Sequence, residues 1–403
     1  MSAAVRVAIR SRPFNSNEKS IGIDGQLCID MNQKNVTVTE QNGDEKTYTY
    51  DRAYWSTDNS RGKMIDQVDV YTDIGKETLN NSMDGYNACI FSYGQTGTGK
   101  SWSMTGDADH PGIIPRMIDD VFQQKAKIDE DSNQSLHIFI SYYEIHNDKL
   151  HDLLQYDHAV EMKIQEHPMT GVFIQNLQEN IATSVEDVQW MIDWGNRRRD
   201  SRSHVVFAMT LKRRDNAKKC STATINCVDL AGFDRVSAIG AAGSNLMKET
   251  CAINSSLSDL ALVIETLAAN NSKPKKKQAK VPFHNSVLTH VLKNSLAGNS
   301  KTWLIATISP HLNDVEETLS TLRFASSIKA IKLAATIQLD KRDDLLKLKR
   351  LSPDDRLRAL EKIELNRHTM IKRLQQETAL AISGINFSFY FVRMFLLFSR
   401  GQF

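Results

Sequence analysis

Between Phe91 and Ser101 the chain reads FSYGQTGTGKS, placing Gly94, Gly99, Lys100 and Ser101 in the spacing G-x-x-x-x-G-K-S. Glycines at such positions let backbone amides turn inward around phosphate oxygens. A lysine then supplies positive charge for the β and γ oxygens, and a serine hydroxyl can ligate Mg²⁺. Gln95, Thr96, Gly97 and Thr98 complete the same cradle, and the apolar run NACIFSY leads into it. These residues imply nucleotide binding. Downstream, CVDLAG at 227–232 ends an apolar run on Asp229 and then Gly232. In phosphoryl-transfer sites such an acid holds the Mg²⁺ shell, and the glycine amide can touch the γ-phosphate. Alone, a strand ending in Asp-x-x-Gly is also a common turn. A third stretch, WGNRRRDSRSHVVF at 194–207, is divided against itself. Its SRSH followed by apolar residues suits the lip of a phosphate sensor, while the three arginines and aspartate before it do not.

Positioning these groups requires a rigid frame. Apolar runs at 5–9, 87–93, 136–145, 204–211, 224–230 and 302–309 read as strands, several apolar on both faces. Helical periodicity is expected at 64–84, 113–127, 184–194, 244–269, 285–295 and 314–332. Such interleaving predicts an α/β fold: a central, mostly parallel β-sheet flanked by helices on both faces. Near 333 the character changes to a charged, helix-periodic segment. Ser352, Pro353, Asp354 and Asp355 form a good helix start for a stretch reaching about 381. The expected organisation is 1–332, a linker or neck at 333–350, and a helical extension with an apolar tail at 351–403.

With 403 residues, 41% hydrophobic and 24% charged, the composition is that of a globular protein. A formal net charge of +2 expresses no general preference for polyanions, so any such preference must come from the cluster SKPKKKQAK at 272–280. Five scattered cysteines with no C-x-x-C argue against a disulfide framework or a zinc–thiolate site and suit a reducing cytosol. An arginine interrupts the N-terminal apolar run, so no signal peptide is expected. No stretch reaches the roughly 18 apolar residues needed to span a bilayer.

Taken in order, IFSYGQTGTGKSWSMTG, SRSH at 201–204, DLAG at 229–232, SVLTHVLKNSLAGNSKT at 286–302 and ETLSTLRFA at 317–325 resemble a kinesin motor domain. The resemblance runs from about Val5 to Lys332. YDRAYWSTD, VDVYTDIGKETL, MKIQEHPMTGVFIQNL and the SVLT form of the tubulin-facing helix are similar to the kinesin-three branch of vesicle transporters. It implies a P-loop NTPase fold, ATP and Mg²⁺ as cofactors, microtubules as partner, and a cytoplasmic, cytoskeletal setting. Arg10, Arg12 and Pro13 would pack on the adenine with Trp102 opposite, although the turn could be structural and Trp102 core. Ser101 and Ser201 would ligate Mg²⁺ with Asp229 behind them. Ser203 would place the attacking water, and Arg202 would close an ion pair with Asp234 near Gly232. Lys149, Lys273, Lys275, Lys276, Lys277, Lys280, His284 and His290 would face tubulin. A lysine loop is also often simply solvated, and its expected effect is salt-sensitive attraction rather than stereospecific grip.

Against the family pattern, only Arg197, Arg198, Arg199 and Asp200 separate Gly195-Asn196 from SRSH, so the first switch is expected to be shortened. The second switch carries Phe233-Asp234 in place of serine and glutamate. Both changes bear on turnover more than on binding, since positioning supplies most of this catalysis. Ser255, His284, His290 and Ala334 also depart from the pattern, the last putting docking of the neck segment IKLAATIQ in question. FSFYFVRMFLLF at 387–398 reads as a membrane or partner anchor, an aggregation-prone strand, or the product of a variant transcript end. Two readings follow: an ATP-dependent microtubule motor, or a nucleotide-binding microtubule tether with little hydrolysis. A P-loop enzyme acting on nucleic acid leaves the tubulin-side motifs unexplained. Vesicle or membrane cargo is implied by the branch, and a monomer or weak dimer by the short helical extension.

Overall fold

The structure is a computed structural model and describes residues 3–21, 27–58, 64–131, 133–155, 161–167, 171–216, 220–233, 244–271, 273–274 and 277–337. Asp234, Lys275, Lys276, the helix expected at 351–381 and the apolar tail at 387–398 lie outside the described residues, as does the neck beyond residue 337.

In chain order the framework consists of β1 (Arg6–Ser11), β2 (Arg52–Tyr54), α1 (Lys76–Met83), β3 (Ala88–Tyr93), α2 (Lys100–Met104), α3 (Ile113–Asp129), β4 (Ser135–His146) and β5 (Lys149–Asp152). It continues with β6 (Lys163–His167), β7 (Gly171–Gln175), β8 (Asn180–Ala182), α4 (Val185–Asn196), β9 (His204–Arg214), β10 (Cys220–Asp229), α5 (Ser244–Asn271), α6 (Val287–Val291), α7 (Lys293–Ala297), β11 (Lys301–Ile308) and α8 (Val315–Lys329). The main sheet has the order β8-β4-β9-β10-β3-β11-β1-β2, with β5 on β4. Pairing is parallel from β10 across to β2 and antiparallel through β4, β9 and β10. The parallel half carries the phosphate loop, so the loop leaves the carboxyl end of a central strand, where open α/β sheets bind ligands.

Both sheet faces are covered. On one, Val7, Ile9, Cys89, Phe91, Leu304 and Ala306 pack with Leu257, Leu260 and Ile264 of α5 and Leu319 and Leu322 of α8. On the other, Ala8, Ala88, Ile90 and Ile305 are equally buried, on the side where α1, α3 and α4 meet the sheet. Opposite parity along each strand makes both sets apolar, which is why the sequence shows continuous rather than alternating runs.

Three helices differ from expectation. The 64–84 helix begins at Gln67 behind an Asp66–Asp69 capping box and carries a π-helical turn at Tyr71–Gly75 before α1. The 285–295 helix is two short helices broken at Leu292, whose ψ of −3° ends the first. Within α5, Thr250–Asn271 is long and apolar enough, by length and composition, to cross a membrane. Its Leu257, Leu260, Val263 and Ile264 are nevertheless buried in the core, as in the central helix of a globular domain. Residues after α8 are paired: Lys332 and Leu333 form an antiparallel pair with Ala4 and Ala3, and Asn299 Nδ2 donates to the Thr336 carbonyl at 2.8 Å.

Candidate functional site

Every residue of β3 is buried, and Gly94 follows at the strand's carboxyl end. A Cβ on Gly94 would lie 2.3 Å from the Thr307 carbonyl of β11, so only glycine lets the loop pass here. Gly97 and Gly99 take positive φ of 79° and 99°, the left-handed region that glycine enters freely. Thr98 Oγ1 donates to the Gln95 carbonyl at 2.7 Å and meets Thr307 Oγ1 at 2.7 Å, pinning the loop. Lys100 is buried, and its ammonium donates to the carbonyls of Gly94 (3.0 Å) and Gln95 (2.9 Å). Thr96, Gly97, Ser101 and Trp102 face solvent.

Asp229, at the end of β10, is the meeting point. Its Oδ2 accepts from Ser101 Oγ at 2.5 Å and from Arg199 Nη2 at 3.1 Å, and its Oδ1 accepts from Ser92 Oγ at 3.1 Å. The Asp229 side chain is 7% exposed and that of Arg199 21%, so the ion pair is largely withdrawn from water. Arg199 Nε is buried with no hydrogen-bond partner among the described residues. A hydroxyl and a carboxylate oxygen side by side are the hard oxygen donors that Mg²⁺ favours.

The link from α4 to β9 is residues 197–203, and it is tied down at several points. Arg198 Nη1 donates to the carbonyls of Leu153 (3.3 Å) and Gln155 (2.5 Å). The Asp200 amide donates to Glu144 Oε2 at 2.9 Å, and Ser203 Oγ donates to the same oxygen at 2.6 Å. Asp200 Oδ1 also accepts the Arg202 amide at 2.8 Å. Asp200 therefore points into the link's own turn. Ser203 is buried and engaged with Glu144, whereas Ser201 is exposed and makes no bond to Asp229. Arg202 Nη2 donates to Thr250 Oγ1 of α5 at 2.9 Å.

Sequence reasoning passed over His204. Its Nδ1 accepts the Ala231 amide at 3.1 Å, which leaves the proton on Nε2, facing Ser256 Oγ at 2.9 Å. One imidazole thus joins the first switch, the residue before Gly232, and α5. Complete burial pushes its pKa down to about 3, so it stays neutral. The second switch leans directly on the phosphate loop: Thr96 N–H donates to the Phe233 carbonyl at 3.4 Å, and a Cβ on Gly232 would sit 2.3 Å from Thr96 Oγ1. Phe233 packs 5.5 Å from the Tyr93 ring, which stacks on Phe324, so the substituted position has become an aromatic contact.

The expected adenine contacts divide. Arg10 is only 5% exposed and turns inward, donating to Gln67 Oε1 (2.6 Å) and Ser103 Oγ (3.0 Å). Burial lowers its pKa to about 10. It braces α2 from beneath rather than presenting a surface to a base. Arg12 is held by Glu18 at 2.5–2.7 Å and by Ser309 at 2.9 Å. Pro13 and Trp102 remain exposed. The residues given to tubulin lie apart from these. Lys149, Lys273, Lys277 and Lys280 are all exposed. His284 and His290 meet Glu166 of the β6–β7 hairpin, whose Oε2 accepts from Lys293 at 2.6 Å. Burial lowers the pKa of His290, and the Lys293 hydrogen bond lowers that of Glu166.

Comparison with known proteins agrees with this arrangement. The kinesin motor domain family matches residues 10–331. Kinesin-like protein KIF13B of Homo sapiens is 39% identical over 360 residues, covering 83% of this chain and 20% of the relative. Kinesin-like protein KIF1A of Rattus norvegicus is 38% identical over 371 residues, covering 86% and 22%. The chain therefore spans about a fifth of the length of these curated relatives. Among solved structures, a KIF14 dimer in a two-heads-bound state, with AMP-PNP and in complex with a microtubule, aligns with TM-score 0.78 and 35% identity. It is covered along 100% of its length and covers 87% of this chain. A fast kinesin aligns with TM-score 0.73 and 31% identity over 87% of this chain and 98% of its own. With the family model matching residues 10–331 and relatives of this identity along the same stretch, the chain belongs to the kinesin motor domain family.

Proposed function

We propose that the chain is an ATP-dependent microtubule motor unit, in which nucleotide binding and hydrolysis are coupled to movement along the track. The observation that carries this reading is the convergence of Ser101, Asp229 and Arg199 beside a glycine loop whose Lys100 is already drawn in. Ser101 and Asp229 would hold Mg²⁺, which when bound neutralises charge on the β- and γ-phosphates. Inward-turned amides of the loop bind phosphate oxygens. Lys100 exchanges the Gly94 and Gln95 carbonyls for phosphate, and Trp102 supplies an exposed aromatic face for the base. Ser201, Arg202 and Ser203 act only if the 197–203 link moves toward the nucleotide, and Arg202 then meets Asp234. Lys149, Lys273, Lys275, Lys276, Lys277 and Lys280 give salt-sensitive attraction to the acidic track. A motor unit at 1–332, a neck at 333–350, an extension at 351–403, a vesicle or membrane cargo, a monomer or weak dimer, and a microtubule-bound cytoplasmic location complete this reading.

A second reading is a nucleotide-binding microtubule tether with little turnover. It is favoured by the seven-residue link, which fixes Ser203 on Glu144 and sends Arg199 to Asp229. Steady-state ATPase against rising microtubule concentration, beside Lys100→Ala, separates the two. Strong stimulation abolished by the substitution is expected of the motor. Nucleotide binding with flat turnover overturns the motor and leaves the tether.

A further inference from the structure

Two imidazoles and a carboxylate converge where the β6–β7 hairpin meets α6. Glu166 Oε1 lies 3.1 Å from His290 Nε2 and 3.6 Å from His284 Nε2, and all three ligand atoms fall within 4.8 Å of one another. The rings of His284 and His290 stand nearly perpendicular, at 72° with centroids 4.3 Å apart. We propose that Glu166, His284 and His290 form a binding site for a divalent transition cation of the zinc class.

Geometry is the main argument. A tetrahedral zinc with bonds of about 2.0–2.1 Å to nitrogen and oxygen has ligand–ligand edges of roughly 3.3–3.4 Å. The two edges to Glu166, 3.1 and 3.6 Å, bracket that value, and the remaining edge between the imidazoles is under 4.8 Å, so modest side-chain rotation brings the three ligands around one cation. Two histidines with one carboxylate are a donor set that zinc accepts, and three protein ligands leave a fourth position for water. Hard cations such as Mg²⁺ disfavour an imidazole pair.

Preorganisation is the second argument. The three ligands come from separate elements that are otherwise fastened together. Asn294 Oδ1 accepts the Val172 amide at 3.1 Å and its Nδ2 donates to the Val172 carbonyl at 3.0 Å, holding the hairpin against α7. The Asp148 carboxylate accepts the Val287 amide at 2.7 Å, at the first residue of α6. Lys293 occupies Glu166 Oε2 and so leaves Oε1 toward the imidazoles, a hydrogen bond to the carboxylate's second oxygen of the kind that orients metal ligands. A bound cation would cross-link the hairpin to the 284–290 segment on the side of the domain where exposed Lys149 also lies. The ion-binding inference stands whether the proposed motor function holds or fails.

The test is titration of the full chain, saturated with Mg·ADP, with Co²⁺ followed by displacement with Zn²⁺. One equivalent of Co²⁺ is expected, with visible bands of a four- or five-coordinate nitrogen–oxygen site and no thiolate charge-transfer band, which excludes the exposed Cys251 as ligand. His284→Ala, His290→Ala and Glu166→Gln should each weaken binding at least about tenfold. Zn²⁺ should raise the thermal midpoint of the parent chain but not of the His284→Ala/His290→Ala double variant. No saturable Co²⁺ binding by the parent overturns the proposal, as does binding that survives all three substitutions. A variant whose metal-free circular dichroism matches the parent's excludes misfolding as the cause of lost binding.

Discussion

Arg199 offers the sharpest test of how this nucleotide site is set. Its guanidinium and Ser101 share one oxygen of Asp229, the oxygen that on the proposed reading would face the Mg²⁺ shell. Binding Mg·nucleotide therefore competes with the ion pair, and removing the arginine should favour the nucleotide. A hydrogen bond to a charged group contributes about 1.5–3 kcal/mol when withdrawn from water. With Arg199 21% exposed the lower part of that range applies. About 1.5–2 kcal/mol corresponds to roughly a 10- to 30-fold change in an equilibrium constant. Arg199→Ala should thus lower by that factor the Mg²⁺ concentration needed for half-maximal binding of a fluorescent ADP analogue. The nucleotide-free chain should also lose denaturant resistance, because Asp229 keeps only the Ser92 and Ser101 hydroxyls. Arg198→Ala, which removes bonds to the Leu153 and Gln155 carbonyls, should leave the Mg²⁺ dependence in place. An unchanged or weakened Mg²⁺ dependence in Arg199→Ala would refute the competition and mean that the arginine stays on Asp229 with nucleotide bound.

Two further outcomes follow from the same geometry. Gly94→Ala drives a Cβ to 2.3 Å from the Thr307 carbonyl, and overpacking of this kind costs on the order of 3 kcal/mol; a parent-like urea midpoint together with parent-like nucleotide affinity would contradict the packing argument. His204 titrates from 6.5 toward about 3 on burial, so below about pH 6.5 the unfolded chain takes up a proton that the folded chain refuses. Stability should accordingly be fully present above pH 6.5 and fall progressively toward pH 3. His204→Asn should show a shallower fall than the parent between pH 7 and 5 in urea titrations, and an equal slope would assign the acid sensitivity elsewhere.

Which parts could be read from the chain alone depended on how local their causes were. The cradle at 94–101 was legible because glycine spacing, lysine and serine act within one turn of chain. Strand β3 and helix α5 were legible because burial on both faces, or along one long stripe, leaves continuous or periodic apolar patterns. Arg10's partners were not legible because an arginine beside a Pro-containing turn looks the same whether it faces ligand or core. Only the tertiary partners Gln67 and Ser103, 57 and 93 positions away, decide. Arg199 was noted as out of place, yet its partner Asp229 lies 30 positions on and across a sheet. Glu166 and His290 are 124 positions apart, and no periodicity connects a hairpin to a helix start. The break at Leu292 escaped notice because leucine suits a helix interior.

The strap from 197 to 203 has a kinetic consequence. With Arg198, Arg199, Asp200 and Ser203 each moored to a different part of the domain or to a shared carboxylate, it holds no slack. A slack lid opens and closes on its own clock and can gate whatever passes beneath it. A taut strap has no such clock: traffic through the site is timed by the rupture of single moorings, the one between Arg199 and Asp229 foremost. Nucleotide would then come and go in one kinetic phase whose rate responds to removal of that ion pair and only weakly to ionic strength, since a pair largely withdrawn from water is little screened.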